Sequence, residues 1–154
     1  MNDSQEIDYF YGLSVLLTGY DEVVLYASGQ GETYFKTVRR ILGKQLMTQL
    51  LSEFQVILEQ SKGNSKKLHT LLKKEMLKDA KWGPVCRNII QLWYMGNWYE
   101  MPTEWQENYV SSTEDTTHVV SASSYIEGLV WKAMGQHPKS AKQPGYHTWA
   151  VPPN

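Results

Sequence analysis

The sequence predicts a mainly α fold: a single-domain bundle of about six helices, an irregular aromatic loop and an extended carboxy-terminal tail. Apolar residues recur at intervals of three to four over most of the chain, and glycines or polar turns separate these stretches. The length of 154 residues, with 42% hydrophobic and 20% charged residues, is typical of one globular domain. We therefore expect one domain over 1–154, with a flexible amino terminus at 1–7, a helical body at 8–134 and a tail at 135–154 that packs on the body or on a partner.

The first two helices are predicted from short apolar stripes and their stop signals. The first stripe predicts a helix over 8–18, which Gly19 ends because glycine readily takes the left-handed conformation. Asp21 is placed to cap a short second helix. In that helix, the pattern predicts burial of Val23, Val24 and Tyr26.

In the centre of the chain, the spacing of apolar residues predicts four amphipathic helices. One begins near Glu32, and another follows Gly43. After the polar turn at 61–65, leucines resume the helical period with lysines on the outside, which favours a helical hairpin. Pro84 suits the first turn of a further helix, predicted over 84–95.

The last third of the chain is less periodic. Residues 97–122 are polar and aromatic, and their serines and threonines favour an irregular loop or short strands. Ser123 or Ser124 could cap a final helix that ends at Gly135 and Pro138. The buried side of that helix is predicted to contain Ile126, Leu129, Val130, Ala133 and Met134.

The charge distribution is uneven although the net charge is only -1. Seven lysines lie within 62–81, whereas 88–130 contains six acidic residues and neither lysine nor arginine. Lysines at helical spacing are typical of a solvated helix face, so we predict solubility for this face and no nucleic-acid partner. The longest apolar runs fall short of the roughly 20 residues of a membrane span, so none is predicted.

Motifs for catalysis or for cofactor binding are not found in the sequence. The string Gly29-Gln30-Gly31 lacks the third glycine of a dinucleotide loop and follows a helical pattern instead of a strand. The four histidines are scattered, and the single Cys86 lies in a helical pattern typical of a buried thiol. The carboxylates Glu100, Glu104 and Glu107 are predicted to be solvated. We expect no catalytic, cofactor-binding or metal-binding residue in this chain.

Aromatic residues are the most distinctive feature of the sequence. Six of them fall within the seventeen residues 93–109: Trp93, Tyr94, Trp98, Tyr99, Trp105 and Tyr109. Large rings bury much area with few rotatable bonds, so they suit both a core and the centre of a protein interface. A third use is stacking on sugars or on single-stranded nucleic acid. Nucleic-acid binding usually needs basic residues among the rings, and this segment has none.

Four segments resemble, in order, the small-subunit family of membrane-bound FAD-containing sorbitol dehydrogenases. They are Gly-Leu-Ser-Val-Leu-Leu-Thr-Gly-Tyr at 12–20, Ile-Ile-Gln-Leu-Trp-Tyr-Met-Gly at 89–96, the stretch at 125–131, and Pro-Gly-Tyr-His-Thr-Trp-Ala-Val-Pro-Pro at 144–153. The resemblance implies a non-catalytic small subunit that supports maturation, stability or export of an FAD-containing large subunit. A multihaem cytochrome c would be a further partner, so that FAD and haem reside in the partner subunits and not in this chain.

The resemblance also implies a periplasmic location in the complex. No signal peptide is visible in the sequence, so a cytoplasmic location is the alternative. As the partner interface we predict the aromatic side chains Trp93, Tyr94, Trp98, Tyr99, Trp105, Tyr146 and Trp149. The alternative function is a stand-alone domain for a small ligand or a carbohydrate that uses the aromatic patch at 93–109.

Overall fold

The computed structural model describes residues 1–134, and this part of the chain is mainly α-helical, as predicted. The helices that lie within 3–95 are called the helical body from here on. Its elements are α1 (Asp3–Thr18), α2 (Glu22–Ala27), α3 (Gly31–Leu42), α4 (Lys44–Ser61), α5 (Ser65–Leu72), a π-helical turn (Lys73–Leu77) and α6 (Trp82–Met95).

The remaining described residues form shorter elements. They are β1 (Asn97–Trp98), α7 (Thr103–Asn108), β2 (His118–Val119), α8 (Ala122–Ile126) and α9 (Leu129–Ala133). The two strands pair in antiparallel fashion, with Asn97 opposite Val119 and Trp98 opposite His118. The predicted irregular loop therefore contains the short strands that its composition favours, together with one helix that the pattern does not reveal.

The core lies where α1 and α3 pack against α4 and α6. At its centre, the Trp93 ring meets the Tyr34 ring edge-on, with centroids 4.9 Å apart. Phe10 lies 6.5 Å from Trp93 and 5.7 Å from Phe35, measured between ring centroids. Trp93–Tyr34 and Phe10–Phe35 are edge-to-face pairs and Phe10–Trp93 is a stacked pair, and both arrangements stabilise a core beyond the area that they bury.

The first helix begins earlier than its apolar pattern predicts, at Asp3 and not at Asp8. The Asn2 side chain accepts a hydrogen bond from the Gln5 backbone N–H at 2.9 Å, and the Gln5 side chain accepts one from the Asn2 N–H at 3.0 Å. This reciprocal capping box satisfies two amide groups that would otherwise lack partners. Glu6, which is buried, accepts a hydrogen bond from Thr48 at 2.6 Å. Most of the segment predicted to be flexible is therefore the first turn of α1.

The burial predicted for α2 is wrong at two of three positions. Val23 is 76% exposed and Tyr26 is 48% exposed, while Val24 is half-buried and Leu25 is fully buried. A six-residue helix can direct only one narrow face to the core, and Leu25 occupies that face. Asp21 precedes the helix, but its side chain makes no capping hydrogen bond.

The predicted helix after the polar turn is interrupted by the π-helical turn Lys73–Leu77. Asp79 then accepts hydrogen bonds from the backbone N–H groups of Lys81 and Trp82, at 2.9 and 3.0 Å. These bonds stabilise the start of α6 at Trp82, two residues before Pro84. Pro84 still lies in the first turn, as predicted.

The predicted final helix consists of two short helices. Ser121, and neither Ser123 nor Ser124, caps α8 through a reciprocal bond with Ser124. Gly128 separates α8 from α9, and a Cβ on Gly128 would lie 2.6 Å from the carbonyl oxygen of Tyr94. The close approach to α6 therefore requires glycine. Leu129 is buried as predicted, whereas Met134 is 54% exposed.

Candidate functional site

Three of the four segments that carry the family resemblance meet at one end of α6. We call this place the motif junction and define it as residues 17–20, 93–96 and 124–131. The Tyr94 hydroxyl donates a hydrogen bond to the Thr18 carbonyl oxygen at 3.1 Å, across 76 positions of sequence. The rings of Tyr20 and Tyr94 also meet, with centroids 6.0 Å apart. The fourth segment, 144–153, lies outside the described residues, as do Tyr146 and Trp149.

Gly96 joins the end of α6 to Ser124, which directly precedes the third segment, and Gly128 of that segment lies against the Tyr94 carbonyl oxygen. The φ of Gly96, 73°, is in the left-handed region, and a Cβ there would lie 2.5 Å from the Ser124 carbonyl oxygen. Its own carbonyl oxygen accepts hydrogen bonds from the Ser124 hydroxyl at 3.0 Å and from the Val120 N–H at 2.9 Å. The end of α6 is thus fixed to α8 by backbone geometry that only glycine allows.

Tyrosine hydroxyls at the motif junction are held in their protonated form. Burial raises the pKa of Tyr94, and burial followed by the nearby Tyr94 raises the pKa of Tyr20. Burial also raises the pKa of Tyr34 strongly, against a smaller opposite effect of the adjacent Ser124 hydroxyl. At neutral pH these hydroxyls therefore stay protonated, and that of Tyr94 donates its hydrogen bond to Thr18.

Some of the exposed apolar side chains lie at the motif junction or beside it. Met95 is 42% exposed, Val119 53%, Tyr125 50% and Met134 54%. Met95 and Tyr125 belong to the junction, Val119 pairs with Asn97, and Met134 ends the described chain after α9. Exposed apolar side chains on adjoining segments are typical of a surface that binds another protein.

The three tryptophans predicted for the partner interface are buried in this chain. The exposed fractions are 1% for Trp93, 0% for Trp98 and 3% for Trp105. The indole N–H of Trp98 donates to Asp115 at 2.8 Å, and that of Trp105 donates to the Lys81 carbonyl oxygen at 2.8 Å. These rings are core residues, so a partner or a sugar could reach them only if the core opened. The prediction of interface tryptophans at these three positions is corrected accordingly.

Two predicted interface residues remain partly accessible. Tyr94 is half-buried at the motif junction. Tyr99 is also half-buried, but its backbone is bound by Asn88, whose side chain accepts from the Tyr99 N–H at 3.0 Å and donates to the Tyr99 carbonyl oxygen at 2.8 Å. The structure therefore brings Tyr94, but not Tyr99, into the motif junction.

Asp115 organises the aromatic segment, defined as residues 97–120, and sequence reasoning gives it no role. Its carboxylate is 3% exposed and accepts three hydrogen bonds: from Trp98 at 2.8 Å, from the Met101 N–H at 3.0 Å and from Gln106 at 2.8 Å. A buried carboxylate is tolerated when such donors replace water. One aspartate among exposed serines, threonines and acids gives no pattern from which its burial could be predicted.

The single cysteine, Cys86, is buried in α6. Burial raises the pKa of the Cys86 thiol to about 12, so it is not a nucleophile at neutral pH. No cluster of three histidine, cysteine or carboxylate side chains that could hold a metal occurs within 1–134. Across the same residues, each helix is too short or too polar to cross a bilayer.

Comparison of the chain with protein-family models, with curated proteins and with solved structures finds no match.

Proposed function

We propose that this chain is a non-catalytic accessory subunit of a flavin-dependent sugar or polyol dehydrogenase complex. In this role it binds the FAD-containing large subunit and supports its maturation, stability or export. FAD and the haems of a multihaem cytochrome c belong to the partner subunits, and the complex works in the periplasm. The family resemblance of four ordered segments supports the choice of partner.

The observation that carries the proposal is the convergence of three of these segments at the motif junction. Segments 12–20, 89–96 and 125–131 are far apart in sequence, yet they are joined by the Tyr94–Thr18 hydrogen bond and by the close approach of Gly128 to the Tyr94 carbonyl oxygen. Exposed Met95 and Tyr125 lie on the joined segments. Methionine and tyrosine are enriched at protein interfaces, where burying them contributes binding free energy.

Co-purification tests this proposal directly. A tagged full-length chain, expressed in its native cells or together with a dehydrogenase large subunit, should recover a yellow flavoprotein that oxidises a sugar or polyol with an artificial dye. The chain purified alone should be colourless and inactive in the same assay. A chain that retains flavin after purification alone, or that turns over substrate unaided, would overturn the proposal.

Two variants with the same starting exposure locate the contact. Met95 and Val56 are each 42% exposed, but only Met95 belongs to the motif junction. Met95→Glu should abolish recovery of the flavoprotein because it places a charge in an apolar contact. Val56→Glu, on α4, should leave recovery unchanged. Equal recovery with both variants would show that the motif junction does not bind the partner.

A further inference from the structure

An apolar groove of about 590 Å³ runs along α1 on its side toward α4 and α5. One wall is a stripe on α1 that includes Tyr9, Gly12 and Leu16, and the other wall includes Leu58 of α4 and Leu68 of α5. Each of these five residues is only half-buried. This side of α1 differs from the side that packs on Trp93, so the groove and the motif junction are separate surfaces.

The stripe on α1 has the dimensions of a helix-binding site. The residues that line the groove extend from Gln5 to Leu16 at helical spacing, which corresponds to about three turns, or roughly 16 Å. Gly12 has no side chain in the middle of this stripe, and a Cβ there would lie 3.3 Å from the Phe54 ring. The Phe54 ring therefore lies against Gly12 and forms the floor of the groove at this point.

The charged residues of the groove are all acidic. They are Asp8 on α1 and Glu22 on α2, and both are exposed. Neither forms an ion pair within residues 1–134, where the ion pairs are Lys36–Glu32, Arg39–Asp3 and Arg40–Glu114. An apolar floor with acidic residues beside it complements a ligand that is apolar on one side and basic along its edge.

From these observations we infer that the groove binds an amphipathic helix of a partner protein, with lysine or arginine beside its apolar stripe. The apolar stripe, at positions i, i+3, i+4 and i+7, lies against Tyr9, Leu16 and Leu58. The basic residues pair with Asp8 and Glu22. Recognition of a helix in an apolar groove is a recurring mode of protein binding. This inference does not depend on the proposed function.

Binding of synthetic helices tests the inference. The probes are two fluorescent, side-chain-stapled peptides of about 15 residues with the same leucine stripe, one flanked by lysines and the other by glutamates. The lysine peptide should bind the full chain saturably, and its amide chemical-shift changes should map to α1 and α4 around Gly12 and Phe54. The glutamate peptide should bind at least about tenfold more weakly.

A matched pair of double variants separates the groove from overall charge. Asp8→Lys with Glu22→Lys should weaken the lysine peptide at least about tenfold and strengthen the glutamate peptide. Glu104→Lys with Glu107→Lys makes the same change of charge on α7, where both carboxylates are exposed, and should leave both affinities unchanged. Circular dichroism verifies that both variants fold.

Three outcomes would overturn the inference. The first is equal affinity for the two peptides, and the second is an unchanged affinity in the groove variant. The third is a dimer, seen by sedimentation equilibrium, that the groove variant converts to monomer, because the groove would then hold a second copy of this chain.

Discussion

The helical body (3–95) and the aromatic segment (97–120) are stabilised in different ways. In the helical body, buried apolar side chains from α1, α3, α4 and α6 form one continuous core around Trp93. The aromatic segment contains two strands of two residues each and the short helix α7. Its Trp98, Met101 and Trp105 side chains extend the core, but the Trp98 ring and the backbone at 99–101 are held by hydrogen bonds to two polar side chains, Asp115 and Asn88.

This difference determines how a substitution should act in each region. A core made of many apolar contacts loses stability in proportion to the volume removed, and the loss is felt by the whole body. Where one buried polar side chain accepts several hydrogen bonds, its removal leaves each donor without a partner, and each such donor costs free energy. The loss of stability is then confined to the residues around that side chain. The helical body should therefore unfold as a unit, whereas the aromatic segment should open locally when such a side chain is removed.

The largest effect is expected from a core substitution in the helical body. Phe10 is 0% exposed and contacts both Phe35 and Trp93. Phe10→Ala should lower the free energy of unfolding by about 3–5 kcal/mol because it leaves a cavity at the centre of the core. Urea denaturation followed by circular dichroism measures this change. The control Val23→Ala, at a position 76% exposed, should stay within about 0.5 kcal/mol of the original protein.

Removal of the Asp115 carboxylate tests the other side of the comparison. Asp115→Ala should destabilise the protein by about 2–4 kcal/mol, since the Trp98, Met101 and Gln106 donors lose their acceptor. Hydrogen exchange should accelerate at 98–106 while the amides of α4 stay protected. Glu114→Ala is the control: its exposed ion pair with Arg40 is worth at most about 1 kcal/mol. Equal acceleration in α4 would show that the two regions unfold together.

The link between the helical body and α8, which follows the aromatic segment, can be tested at Gly96. Gly96→Ala should destabilise by about 2–3 kcal/mol, because alanine is strained at a φ of 73° and its Cβ meets the Ser124 carbonyl oxygen. Gly29 is the matched control, with a φ of 70° and no atom within 4 Å of an added Cβ. Gly29→Ala carries the backbone strain alone and should cost about 1 kcal/mol. Similar losses in urea denaturation would show that the contact with Ser124 adds nothing.

The same difference explains which features the sequence reveals. In the helical body, the apolar period predicts α3, α4 and α6, and Gly43 and Gly96 are recognisable as ends. The wrong predictions for α1 and α2 have causes other than the apolar period. The capping box of Asn2 and Gln5 starts α1 early, and the shortness of α2 leaves Val23 outside the core.

The candidate site was less predictable because it depends on contacts between distant residues. Aromatic content predicts burial or binding equally well, and only the packing shows that Trp98 and Trp105 are interior while Tyr94 reaches Thr18. Asp115 has the same sequence environment as its exposed neighbour Glu114. Its burial follows from the position of the Trp98 indole, which no local pattern encodes.

The smallest effect at neutral pH is expected at Tyr34, where the helical body meets α8. The hydroxyl is buried beside Ser124, and Tyr34→Phe keeps the ring against Trp93, so stability near pH 7 should change by less than about 0.5 kcal/mol.

Alkaline pH should separate the Tyr34→Phe variant from the original protein. Burial raises the pKa of Tyr34 above its ordinary value of 10.0, so the folded chain keeps this proton at a pH where the unfolded chain has lost it. The contribution of Tyr34 to the free energy of unfolding is therefore constant below about pH 9. It is lost as the pH rises above about 10, because ionisation of Tyr34 then stabilises the unfolded state. Urea denaturation from about pH 8 to about pH 11 should show a shallower decline for the variant. Parallel declines would contradict this prediction. They would mean that water reaches the Tyr34 hydroxyl in the folded chain, so that its pKa is the same as in the unfolded chain.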